Sequence, residues 1–156
     1  MNLEEFKRDI LIIEKSKAED LRNRYITKFI DTENEYYKEN ILALQKCSDG
    51  LCYSGYLWDC IKYPKVIDFS YITEKANIKR EVFVFWDIHS KDKIFIKDYW
   101  NFGKDNMLQL DFKHLINNLI FFPEDIYIFE SNVEWTIVLT HEHTEEARWC
   151  LKSGNI

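Results

Sequence analysis

The chain has 156 residues, 46% of them hydrophobic and 16% aromatic, which suits one domain with its own core and excludes a disordered chain. With only 4 Gly and 2 Pro it holds neither G-x-x-x-x-G-K nor G-x-G-x-x-G, so no Gly-rich phosphate loop is expected. Net charge is −6, and residues 123–156 set seven carboxylates against Arg148 and Lys152, a local net of −5 that disfavours nucleic acid and suits a basic protein partner.

The N-terminal stretch has one short apolar run broken by charges, so neither a signal peptide nor a membrane span is expected. A cytoplasmic protein with reduced cysteines at Cys47, Cys52, Cys60 and Cys150 is the expectation. The first third reads as helix. Leu3, Phe6, Ile10 and Ile13 recur at helical spacing, as do Leu21, Tyr25 and Phe29. A second helix follows Asp31-Thr32, with Tyr37, Ile41 and Leu44 on one face, and "CSDG" ends it. "SGYLWDCIKYPK" reads as a short helix with Tyr56, Leu57, Cys60 and Ile61 inward, closed by Pro64. "DFSYITEKANI" is a further short helix or a connector.

From Arg80 the pattern turns to strand. "EVFVFWDI" and "KIFIKDYW" around "HSKDK" predict a β-hairpin. "LDFKHLINNLIF" predicts a helix with Asp111 as N-cap and Phe112, Leu115, Ile116 and Leu119 on one stripe, closed by Pro123. Strands over 125–130 and 134–142 follow, joined by Ser131-Asn132-Val133. The expected fold is a single α+β domain over 1–156, helical in 1–63 and sheet-containing in 80–143. Its β-β-α-β-β unit forms an antiparallel sheet with helices packed on one face.

Strand alternation puts His141 and His143 on one face with Trp135, Ile137 and Leu139, a spacing that can chelate a metal. His89 and Asp87 could complete such a site, but H-x-H alone is a weak signal, and solvated histidines at a strand end are the plainer reading. No metal and no cofactor are expected. The same alternation sends Glu142 and His141 to opposite faces, which argues against joint acid–base work and against an enzyme. No C-x-x-C pair exists, so the cysteines read as small buried hydrophobes. "KDYWNFG" gathers Tyr99, Trp100 and Phe102 in a loop, as a partner-contacting cluster or a loop folded over the sheet.

"PEDIYIFESNVEWTIVLTHE" and "GYLWDCIKYP" resemble segments of small bacterial families regarded as immunity-like proteins of polymorphic toxin systems. The likeness spans about residues 55–143 and falls on Trp135, Thr140, His141 and Glu142 as motif positions. It implies a cytoplasmic protein that binds and occludes a cognate toxin and has no catalytic residues. Glu130, Glu134 and Glu142, with the aromatic trio, are the expected contacts for a basic toxin domain. A metal-dependent hydrolase using His89, His141 and His143, and a self-associating structural or regulatory subunit, are the alternative readings.

Overall fold

A computed structural model describes residues 1–47, 50–88 and 99–156. Its centre is a seven-stranded antiparallel sheet built from β1 (Leu11–Ile12), β4 (Lys65–Ile67), β5 (Glu81–Trp86), β6 (Leu108–Asp111), β7 (Ile126–Phe129), β8 (Trp135–His143) and β9 (Arg148–Gly154). The order across the sheet is β1-β6-β5-β7-β8-β9-β4. β2 (Gln45–Cys47) and β3 (Gly50–Cys52) form a separate two-stranded ribbon. The hairpin expected over 125–142 is present as β7 and β8, in register from Ile126↔Leu139 to Phe129↔Thr136, and it lies inside the sheet. Both sheet edges are very short strands, which limits edge-to-edge pairing.

Helices cover both faces, not one. Phe6 of α1 (Leu3–Phe6), Ile72 of α4 (Phe69–Ala76) and Leu115 of α5 (Phe112–Asn117) pack against Val84, Ile128 and Ile137. Leu21, Tyr25 and Phe29 of α2 (Lys15–Phe29), with Tyr37 of α3 (Glu35–Tyr37), pack against Phe85, Tyr127 and Val138 on the opposite face. The reason is visible in the strands. All four residues of β7, Ile-Tyr-Ile-Phe, are buried, as a strand covered on both sides requires.

The N-terminal helical stripe is corrected in the same terms. Phe6 is buried on one face and Ile13 on the other, so the chain must cross the sheet edge between them. A short 3₁₀ turn over Lys7–Asp9 ends the first helix. Ile10 turns extended, and Leu11 and Ile12 pair with Gln109 and Leu108.

The helix after Asp111 forms as expected, with the Asp111 carboxylate accepting from the His114 amide at 2.9 Å, and a 3₁₀ turn over Leu119–Phe121 completes it. "LWDC" forms only a 3₁₀ turn, Leu57–Cys60. The return strand expected over "KIFIKDYW" falls mostly on residues 89–98, outside the described residues; β5 pairs with β6 and β7. The sheet also reaches beyond 80–143, because β1, β4 and β9 belong to it. β9 ends on Gly154, whose φ is +82°, and a Cβ there would stand 2.1 Å from the Glu134 carbonyl oxygen.

The cysteine expectation holds only in part. Cys60 and Cys150 are free and buried, and burial pushes each thiol up to about 11. Cys52 is disulfide-bonded, which corrects the expectation of four reduced cysteines. Among the described residues no helix is long and apolar enough to cross a membrane.

Candidate functional site

The polar chemistry of the molecule collects at one end of the sheet, where β5 finishes, β7 begins and β8 passes into β9. The pairing of β8 with β9 is regular down to Leu139↔Cys150 and resumes only at His143↔Arg148. Three residues of β8 thus stand against one of β9, a bulge that breaks strand alternation. Thr140 stays buried, and its hydroxyl donates to the Trp149 carbonyl at 2.6 Å and accepts from the Glu142 amide at 3.2 Å.

His141 is turned by this bulge onto Asp125. The Asp125 carboxylate is 3% exposed and accepts from the His141 amide at 3.0 Å and the Trp58 indole at 2.9 Å. His141 Nδ1 lies 3.0 Å from the same oxygen, so a carboxylate there fixes the proton on Nδ1. His141 Nε2 stands 3.4 Å from Glu142 Oε1. The expectation that His141 and Glu142 face apart is therefore corrected: the bulge brings both to one place.

The turn opposite carries the aromatic half of the site. Residues 57–60 are fixed by the bridge Ile30↔Ile61 and by the Asp31 amide donating to Cys60 at 2.8 Å. Tyr56 stacks on Trp58 at 5.4 Å between centroids and approaches the His141 ring at 4.7 Å. Trp149 meets Trp58 edge-on at 5.6 Å. All three rings are half-buried. Gly55 lets this turn approach α3, since a Cβ there would lie 2.5 Å from the Tyr36 hydroxyl. Burial first, opposed by a hydrogen bond from Tyr36 and reinforced by Glu142, raises the Asp59 carboxyl above its ordinary range.

Trp58, Trp149, Glu142, His143 and Thr144 line a shallow cleft of about 350 Å³ that, among the described residues, no lysine or arginine lines. Glu142, Glu145, Glu146, Asp59 and Glu124 are exposed around this end. The nearby Arg148 guanidinium donates to the carbonyls of Thr140 and Glu124.

Behind the cleft, Asp87 is buried and accepts from the hydroxyls of Tyr53 and Tyr127 and from the Leu57 amide. Burial outweighs these bonds and pushes its carboxyl up to about 7. The Tyr127 hydroxyl also accepts from the Trp58 amide at 2.9 Å, tying the aromatic turn to this network.

The residues singled out from the sequence divide. His141 and Glu142 belong to this site. Trp135 is buried, with its indole donating to Glu130 at 2.9 Å. Glu130 also pairs with Arg80 at 3.5 Å, so it is engaged within the fold. Glu134 is exposed beside the turn before β8, about 25 Å from Glu142 along the strand. Glu130, Glu134 and Glu142 therefore do not make one surface.

Phe102 is 5% exposed and part of the core, and Trp100 packs against that core. The Tyr99 hydroxyl accepts from the Glu124 amide at 3.2 Å. This segment is folded back over the sheet. His143 Nδ1 lies 3.0 Å from the His141 carbonyl oxygen, while His141 Nδ1 faces Asp125, so the two rings do not converge on one point. Among the described residues no group of three metal-binding side chains is present, and His89 lies outside them.

Asp125, Asp59, Tyr56, Trp58 and Trp149 were not legible as site residues. The only hint was a carboxylate placed directly before an all-apolar strand. Comparison with protein-family models, with curated proteins and with solved structures finds no match.

Proposed function

We propose that this chain is a protein-binding module for a basic partner, and that it acts as an immunity-like protein by occluding a toxin domain. The observation that carries the reading is the cleft between Trp58 and Trp149, edged by Glu142 and lined, among the described residues, by no lysine or arginine. Indole faces and carboxylates together attract lysine and arginine side chains. Half-buried tryptophans are also the residues that most often dominate binding energy. The surrounding carboxylates speed encounter with a basic surface and repel an acidic one. The cytoplasmic encounter belongs to the same reading; the Cys52 disulfide is the feature that weighs against it.

One observation favours a second reading, a hydrolase that uses no metal. A buried Asp125 orients His141 as it would a general base. Glu142 stands against the nitrogen such a base would use, which favours binding.

The test reads the reading frames beside this gene and co-expresses the chain with any basic toxin domain found there; finding none counts against the proposal. The native chain is expected to restore growth, and a folded Trp58→Ala/Glu142→Lys variant to fail. Full protection by that variant, or none by the native chain, sinks the proposal.

A further inference from the structure

A second cavity lies away from the acidic cleft, between α2, the π-helical turn Lys38–Leu42 and the end of β5. Its volume is about 570 Å³, within the range of sites that enclose small organic ligands. Ile26, Ile41, Phe85 and Met107 supply an apolar lining. The charges divide by depth. Lys15, Glu19 and Asp105 are exposed at the rim, whereas Arg22 is half-buried.

The Arg22 guanidinium stands over the Phe85 ring at 5.1 Å from its centroid and acts on the Tyr53 hydroxyl. Among the described residues no carboxylate forms an ion pair with it. A half-buried guanidinium that no described carboxylate pairs, on the wall of a chamber with an apolar lining, favours an anion. The buried Asp87 carboxyl already accepts from Tyr53, Tyr127 and Leu57.

We propose that this cavity binds a small amphipathic organic anion, with its apolar body between Ile26, Ile41, Phe85 and Met107 and its carboxylate, sulfonate or phosphate on Arg22. Asn23 lines the same chamber and adds an amide donor for the head group, while the Asn106 amide donates to the Phe102 carbonyl. The site is separate from the protein-binding cleft and does not depend on that reading.

Two fluorescent probes test it: anilinonaphthalene sulfonate, and N-phenylnaphthylamine, which has the same rings without the charge. The native chain is expected to bind the sulfonate saturably at one site. Arg22→Gln should weaken the sulfonate about tenfold and leave the neutral probe within about twofold, with Arg22→Lys recovering part of the loss. Ala18, half-buried on the cavity wall, gives a second variant. Ala18→Trp fills the space and should abolish both signals while the melting transition stays cooperative. Three results overturn the proposal: no saturable binding to the native chain, equal loss of both probes in Arg22→Gln, or sulfonate binding unchanged in a folded Ala18→Trp variant.

Discussion

Asp87 and Asp125 are two buried carboxyls with different surroundings. Asp125 is met by the indole N–H of Trp58 and by the backbone amide and ring of His141. Asp87 is enclosed with two phenols, and burial dominates, holding its carboxyl near 7. In the unfolded chain the same group titrates near 4. The fold therefore favours the neutral form. That contribution is complete below the unfolded value and is lost as pH rises from about 4 to about 7. Unfolding free energy should fall by about 2–3 kcal/mol between pH 5 and pH 8 through this residue. Asp87→Asn mimics the neutral acid and should remove most of that slope in denaturant titrations. Parallel profiles for the two proteins would show that Asp87 does not titrate in this range. Neither carboxyl was legible as buried from the sequence, because each follows or precedes an apolar strand just as a solvated strand end would.

The elements were readable where the local pattern and the packing agree. β7 and β8 appeared at their expected places because Tyr127, Phe129, Trp135 and Ile137 mark buried strands. β1 and β4 are two and three residues long, too short to show a period. The bulge after Leu139 is the element-scale feature that brings His141 and Glu142 together. It depends on how β9 returns, and no residue type near His141 announces it. Upstream of the bulge β8 is pure core. The Trp135 ring is 2% exposed, packs near Phe112 at 6.0 Å and lies under the Arg80 guanidinium at 5.6 Å. Trp135→Ala should cost about 3–5 kcal/mol by equilibrium unfolding, as for other large core aromatics. A loss under about 1 kcal/mol would show that the ring is not packed as described.

Across the whole molecule, the sequence showed that negative charge gathers toward the C-terminus but not where the fold would send it. Glu130 and Glu134 go to one end of the β7–β8 hairpin, and Glu142, Glu145 and Glu146 to the other. Only the second end also carries exposed Asp59 and the rings of Tyr56, Trp58 and Trp149. Helices on both faces cover the middle of the sheet, so the central strands β7 and β8 come to solvent near their ends. The central claim is that this one end receives a basic partner. Association rates against any basic toxin domain found in a neighbouring reading frame, measured at low and high salt for two charge-reversed variants, test it most directly. Glu142→Lys/Glu145→Lys/Glu146→Lys should slow association about tenfold or more at low salt and flatten its salt dependence. Glu134→Lys, at the opposite end, should leave the rate within about twofold of native. A folded triple variant that associates at the native rate, or a slowing confined to Glu134→Lys, would contradict the account.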